Sequence, residues 1–260
     1  MRPFRRLTVV VSFLLALASV SHAQALRVAA AADLQFAMND LAGQFEKKTG
    51  TRVEVSYGSS GNFRTQIENG APFDVFFSAD AAYPEQLVKS GVADAQSLFI
   101  YAQGHLVIWA PAGSNLQLAQ KGFDALKDSR VMKIAIANPE LAPYGRAAVA
   151  ALEKAGLYDE LKSKLVLGEN ISQAAQYAES GSAQAGLIAL SLTYAESMKG
   201  GERWEIPAEY YPPIVQKAVI VSSSKNKSAA AAFLEFVKSD DGRSTFTKYG
   251  LTPPAPSEKP

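Results

Sequence analysis

The sequence predicts an α/β protein of two domains, with two crossings of the chain between them and a ligand cleft where they meet. Three observations carry that expectation. Short apolar, strand-like runs alternate with amphipathic helical stretches, the signature of α/β architecture. The run "LFIYAQGHLVIWAPAG" is too long for one ordinary strand and breaks at Gln103-Gly104, as a strand passing between domains would. The run "YYPPIVQKAVIVSS" places two prolines before a second long strand, a crossing back. The implied division is 24–102 plus 214–260 for one domain and 103–213 for the other, after a leader at 1–23.

The elements follow in order. "LRVAAA" reads as a buried strand, and Leu34, Met38, Leu41 and Phe45 then repeat at the spacing of one helix face, ending near Gly50. Val53, Val55 and Tyr57 alternate with polar residues, predicting a strand over 51–57. A short helix is expected over 63–69, stopped by Gly70, and then "DVFFSA" as a strand over 74–79. A helix from about Ala82 to Lys89 ends at Gly91. Beyond the first crossing come the strand "VMKIAIAN", the helix "YGRAAVAALEKAG", the strand "KLVLG", the helix "SQAAQYAES" and the strand "AGLIALS". The C-terminal part has two helices by pattern, in "KSAAAAFLEFVKSDDGRSTFTKYG", and the frayed tail "TPPAPSEKP". No internal sequence repeat is visible, although the order of elements gives two similar halves.

The first residues predict export. Arg2, Arg5 and Arg6 precede the apolar run Leu7–Val20, which is too short to span a bilayer, and Ser21-His22-Ala23 offers a cleavage site. Cutting after Ala23 would leave 237 of 260 residues and remove three Arg, so that 23 basic side chains face 25 acidic ones, a net of −2. That balance gives no case for nucleic acid or for an acidic membrane surface. The chain has no cysteine, which excludes disulfides, thiolate metal sites, cysteine nucleophiles and a lipid-modified N-terminal Cys. With His22 in the leader, His105 alone remains, inside the apolar "GHLVIWA", where a structural role is expected. No G-x-S-x-G elbow accompanies it, so hydrolase chemistry is poorly supported.

Four strand-to-helix junctions stand out: Ala31-Ala32-Asp33, Gly58-Ser59-Ser60-Gly61, Asn138 through Tyr144-Gly145, and Gly168 through Ser172. In parallel α/β sheets such junctions lie at the carboxyl ends of the strands, where ligands bind. Each helix start offers free N–H groups and about half a positive charge, so four aimed at one point supply roughly two. That suits a small dianion without any Lys or Arg. The "YGSSGN" junction has two readings, a tight turn with an N-cap, or a nest of N–H groups and hydroxyls that grips an anion.

The runs "AAADLQFAM", "GSSGNFRTQIENGAPFDVFFSAD", "NPELAPYGRAA" and "YGL" resemble, in order and across nearly the whole mature chain, the periplasmic molybdate-binding proteins of ABC importers. The resemblance implies a periplasmic binding protein of the type II-like kind, holding molybdate or tungstate in its cleft through hydroxyls and backbone N–H groups. It also implies a membrane permease as partner, a periplasmic, monomeric protein that is neither membrane-embedded nor an enzyme, and no cofactor; molybdenum enters only as the bound oxyanion, through the same residues. Residue by residue, Ser60 matches a hydroxyl donor and Ile171 a backbone N–H donor. Tyr144 stands where the family often has a small residue giving its backbone N–H, and could add a phenol O–H. Two positions depart: Asp33 replaces the common Ser of the first junction, and Ala189 replaces a Tyr. Asp33 is expected to act mainly as N-cap of a helix starting at Leu34, accepting from the N–H of Gln35 or Phe36, with its own N–H free for the anion. The rival reading makes it accept a proton from a protonated oxyanion.

Other polar and aromatic residues have plainer expectations. Arg64 reads as a surface or domain-contact residue, and Glu140 and Glu169 as solvated first-turn acids. Asp80 is expected to cap the next helix; Trp109, Trp204 and Tyr210-Tyr211 read as core or cleft rim. Alternatives to molybdate are another tetrahedral oxyanion, sulfate or phosphate, or an enzyme on a similar scaffold. A regulator's effector domain would share the fold, but the leader and the lack of a DNA-binding segment oppose it.

Overall fold

Two five-stranded mixed sheets, each with strands running both ways, organise residues 25–255, which are the residues described by the computed structural model. The expected leader and the last residues of the tail lie outside that range. The strands are β1 (Leu26–Ala31), β2 (Val53–Gly58), β3 (Val75–Ser78), β4 (Phe99–Gly104), β5 (Leu106–Ala110), β6 (Ile134–Ala137), β7 (Leu165–Gly168), β8 (Ala185–Ala189), β9 (Glu202–Glu205) and β10 (Ile214–Ile220). The helices are α1 (Gln35–Thr49), α2 (Ser60–Glu68), α3 (Ala82–Lys89), α4 (Leu118–Lys121), α5 (Pro143–Lys154), α6 (Tyr158–Leu161), α7 (Ile171–Glu179), α8 (Lys227–Lys238) and α9 (Asp240–Lys248).

The first sheet runs β2-β1-β3-β10-β4 and the second β7-β6-β8-β5-β9. In each, three strands are parallel, a fourth (β10 or β5) is antiparallel to them, and the edge strand beyond it (β4 or β9) is antiparallel to that fourth strand and so runs with the first three. The two halves therefore share one architecture without sharing a repeat. The chain leaves the first sheet at Gly104 and enters the second at Leu106, so a single residue, His105, joins two strands of different sheets. It returns through the turn Ala208–Tyr210 and Pro212-Pro213 into β10. Proline fits that return because it needs no ladder N–H there.

The inner parallel strands β1, β3, β6 and β8 are buried on both faces, as covered parallel strands are, while the edge strands β2 and β7 are partly exposed. Against one face of the first sheet, Leu34, Met38, Leu41 and Phe45 pack with Phe233, Val237 and Phe246 of α8 and α9. Phe45 meets Phe233 edge to face at 5.1 Å between centroids. On the other face Phe63 and Ile67 of α2 and Leu87 of α3 close over Phe76 and Val219. The second core gathers Trp109, the apolar strands β5, β6 and β8, and the alanine-rich faces of α5 and α7.

Three details differ from expectation. α2 starts at Ser60, not Phe63, because Ser59 caps it by accepting from the Asn62 N–H at 3.3 Å. β9 was not expected: "ERWE" is a polar edge strand, and its Glu202 carboxylate turns inward to accept from Ser114 Oγ and from the N–H groups of Leu116 and Leu118. His105 is only half-buried and holds Thr252 Oγ1 through Nε2 at 2.8 Å, joining the crossing to the C-terminal segment. Trp109, by contrast, is buried in the core, as expected.

Candidate functional site

The four junctions converge. One small cavity is lined by Ala31, Ala32 and Asp33, by Gly58, Ser59 and Ser60, by Ala142, Pro143 and Tyr144, and by Ile171, with Ala79 beside them. The first two groups follow strands of the first sheet and the other two follow strands of the second, so the cavity lies between the sheets. Asp33, Ser60, Tyr144 and Ile171 all reach it, and all four are buried. No Lys, Arg or His among the described residues lines it. Among the described residues no group of three or more His, Asp or Glu side chains converges as a metal site would require.

The second junction shows why serine and glycine are needed there. Ser59 serves as the cap, so the bland reading of "YGSSGN" is right for Ser59. Ser60 is the first residue of α2, where a helix N–H has no partner inside the helix. Its Oγ accepts from the Ala79 N–H at 3.0 Å, which leaves the hydroxyl hydrogen to be donated. Gly61 abuts the other half of the molecule: its N–H donates to Leu141 O at 3.1 Å, and a Cβ there would stand 2.7 Å from that oxygen.

The third and fourth junctions supply backbone donors. Pro143 begins α5 and has no N–H to satisfy, so Tyr144 offers the first free N–H of that helix. Gly145 packs against the end of β6, where a Cβ would lie 2.2 Å from Ala137 O. At the fourth junction Asn170 caps α7 by accepting from the Gln173 N–H at 3.1 Å. Ile171 is then the first helical residue and its N–H belongs to the unpaired first turn. Ser172 ties this junction to the first one by donating to Ala32 O at 3.0 Å.

The first junction corrects an expectation. Asp33 is not an N-cap: the turn Ala32–Leu34 is a short 3₁₀ helix capped at Ala31, α1 is capped at Leu34, and neither uses a side-chain bond. A cap must precede the turn it closes, and Asp33 lies inside one. Its carboxylate instead finds partners from distant elements. Asp33 Oδ2 accepts from Tyr144 Oη at 3.0 Å and from Gln216 Nε2 at 2.7 Å, and Asp33 O accepts from Ser191 Oγ at 2.7 Å. Oδ1 is buried and has no hydrogen-bond partner among the described residues.

These surroundings set the electrostatics. Burial raises the Asp33 carboxyl to about 6, against the lowering effect of its bonds from Gln216 and Tyr144. Burial, followed by the nearby Asp33 charge, pushes the Tyr144 phenol well above its ordinary value, so it is a neutral donor. That O–H is committed to Asp33, so the phenol is not free to replace the one expected at position 189. Ala189 itself is buried at the end of β8, paired with Leu106 and away from the cavity wall.

Two residues of this network were not anticipated. Gln216 sits on the inward-facing alternation Ile214, Gln216, Ala218 of β10, and a polar residue on a buried strand face was the available signal. Gly104, at the end of β4, makes room for the phenol: a Cβ there would lie 2.1 Å from Tyr144 Oη and 2.7 Å from Gln216 Nε2.

The halves also meet around the cavity. Arg146 of α5 pairs with Asp80 and donates to Tyr83 Oη at 3.2 Å. Asp80 also accepts from the Ala82 N–H at 2.8 Å, a turn bond at the start of α3. Asn62 Nδ2 donates to Glu169 Oε1 at 3.4 Å, so Glu169 is a contact between halves besides being an exposed acid. Arg64 pairs with Glu68 along α2 at 2.8 Å and takes no part in the cavity.

Residues 26–252 match the family model described as bacterial extracellular solute-binding protein. The molybdate-binding protein ModA of Azotobacter vinelandii is 42% identical over 240 residues, covering 90% of this chain and 92% of that protein. The molybdate-binding protein ModA of Rhodobacter capsulatus is 39% identical over 222 residues, covering 85% and 86%. The solved periplasmic molybdate-binding protein of Azotobacter vinelandii superposes with a TM-score of 0.83 at 39% identity, over 88% of this chain and 99% of that one.

Proposed function

The chain belongs to the bacterial extracellular solute-binding proteins, within the group that includes the molybdate-binding proteins of Azotobacter and Rhodobacter, and from that premise we propose that it captures molybdate, and tungstate with it, in the periplasm for delivery to the membrane permease of an ABC importer. The observation that carries the reading is the shared cavity of the four junctions, lined by donors and free of basic side chains. Ser60 would give its hydroxyl, and Ser60, Tyr144 and Ile171 their backbone N–H groups, to one tetrahedral anion. Helix starts compensate such an anion with about half a positive charge each.

Capture follows from the position of the cavity between two separately built halves. An anion that bonds to both halves favours the arrangement in which they meet, because only that arrangement offers every donor at once. The division at 24–102 plus 214–260 and 103–213 would make the short crossings at His105 and at Pro212-Pro213 the places that bend. No chemical conversion is expected: His105 is engaged with Thr252 and lies outside the cavity lining.

Thermal unfolding across a panel of oxyanions tests the reading. Molybdate and tungstate should raise the transition by several degrees, because a thousandfold excess over Kd contributes about 4 kcal/mol. Sulfate at equal concentration should do little, being too small to reach donors from both halves. A larger rise with sulfate or phosphate would overturn the assignment.

A further inference from the structure

The buried carboxyl of Asp33 is out of place in a site for a dianion. The site is built from neutral donors, and Asp33 lines the same cavity. It has no counter-charge: among the described residues no ion pair includes it. Every element packed around it presents a neutral group. α5 brings the Tyr144 phenol, β10 the Gln216 amide, the turn after β8 the Ser191 hydroxyl, and α7 the Ser172 hydroxyl close by at Ala32. Tyr101 of β4, Tyr211 and, on β2, Tyr57 are the other titratable side chains near the network, and burial raises all three phenols.

The two carboxyl oxygens are not equivalent. Oδ2 already accepts two hydrogen bonds, while Oδ1 is buried with no partner among the described residues. Because Asp33 lines the cavity, an ionised carboxyl would leave Oδ1, buried and without a partner among the described residues, as a bare acceptor beside a second set of acceptors, the oxygens of the anion. Placing a proton on Oδ1 turns that clash into a hydrogen bond. The Tyr144 and Gln216 donors hold Oδ2, so with the Gln216 amide in this orientation the proton goes to Oδ1.

We propose that Asp33 binds a proton when the oxyanion binds, and that Oδ1–H then donates to the ligand as one more neutral donor of the site. The inference rests on the functional reading above and adds to it a stoichiometry: one dianion and one proton taken up together. The bond formed is Oδ1–H, the proton comes from solvent, and no other bond changes. The free carboxyl, already raised to about 6, is half-protonated there and mostly ionised at pH 8. A dianion beside it raises its proton affinity further. Binding should therefore weaken as pH rises, with molybdate itself remaining the dianion throughout the range.

Titration calorimetry of the full chain with molybdate at pH 8, in buffers of different ionisation enthalpy, reads the proton directly. The expected result is uptake close to one proton per anion, with Kd rising about tenfold per pH unit above neutrality. D33N, whose amide can donate where Oδ1–H did, should bind without proton uptake, with an affinity independent of pH that equals or exceeds the unaltered protein's at pH 8. Molybdate binding by the unaltered protein with negligible uptake and a flat pH profile overturns this inference alone. A folded D33N that loses molybdate also overturns it, because that outcome makes the ionised carboxylate the group that accepts from a protonated anion. Failure to bind molybdate or tungstate at any pH removes the functional reading, and this inference with it.

Discussion

Replacing Gly104 by alanine should weaken anion binding, although residue 104 does not touch the cavity. Gly104 has no left-handed φ, so alanine is compatible with the backbone itself. The new Cβ would lie 2.1 Å from Tyr144 Oη, 3.0 Å from Cζ of the same ring and 2.7 Å from Gln216 Nε2. Tyr144 is 1% exposed, so its rigid ring has little room to retreat while its O–H still reaches Asp33. The bond from Tyr144 to Asp33 joins the two halves of the molecule; the Tyr144 ring belongs to the second core, whereas the core between β1, α1, α8 and α9 does not include it. Breaking that bond leaves the buried phenol and carboxyl each short of a partner, which costs about 1–3 kcal/mol. Losing it in the closed arrangement alone translates into Kd weaker by about ten- to a hundredfold. Molybdate titration at constant pH measures this, and the double variant G104A/Y144F tests the cause. Y144F removes the Oη atom that alanine strikes, so the combined loss should fall short of the sum of the two single losses by about 1 kcal/mol or more. A G104A protein with Kd within about twofold of the unaltered protein, or a strictly additive pair, would refute the reasoning.

Ser60→Ala should cost about ten- to a hundredfold in molybdate affinity, since a hydroxyl donor to a charged oxygen is lost; unchanged affinity by calorimetry would confine the "YGSSGN" hydroxyls to turn-making. The same change leaves the buried Ala79 N–H without its acceptor, so a smaller loss of fold stability, about 1 kcal/mol, should accompany it in urea unfolding. Asp33→Asn should stabilise the anion-free fold at neutral pH. Burial raises the folded carboxyl from 3.8 to about 6, so the folded state binds more protons than the unfolded state between those values. Its contribution is fully present below about 4 and is lost as pH rises through about 6, a cost of up to about 3 kcal/mol above that. The variant should exceed the unaltered protein in urea unfolding at pH 7.5, and the gap should close towards pH 4; a gap that widens on acidification would contradict the assignment.

Much of the architecture was legible in the chain because its causes are local. The spacing of Leu34, Met38, Leu41 and Phe45 defines one helix face, and those residues, Leu34 at the cap and the rest within α1, share one core with residues of α8 and α9. Gly50 and Gly91 stop helices at residues with positive φ, as glycine allows. The break at Gln103-Gly104 marked the crossing between sheets within two residues. Even the four junctions could be picked out, since each needs only a strand end, a small residue and a helix start. β9 escaped because a polar edge strand carries no periodic apolar signal.

What sequence could not decide was where the side chains of those junctions go. Asp33 ahead of an apolar helix has the local pattern of a cap, and nothing nearby in the chain argues otherwise. Its carboxyl is claimed instead by Tyr144, 111 residues away, and by Gln216, 183 residues away, through a gap that Gly104 leaves open. Ser59 and Ser60 are neighbours of one chemical type, yet only one is a cap, because the helix begins between them. Local periodicity determined the elements, their order and the two-sheet class. The pairing of buried donors with one uncompensated carboxyl arose only on folding, because a charged group removed from water must bond to whichever partners the tertiary contacts bring within 3 Å.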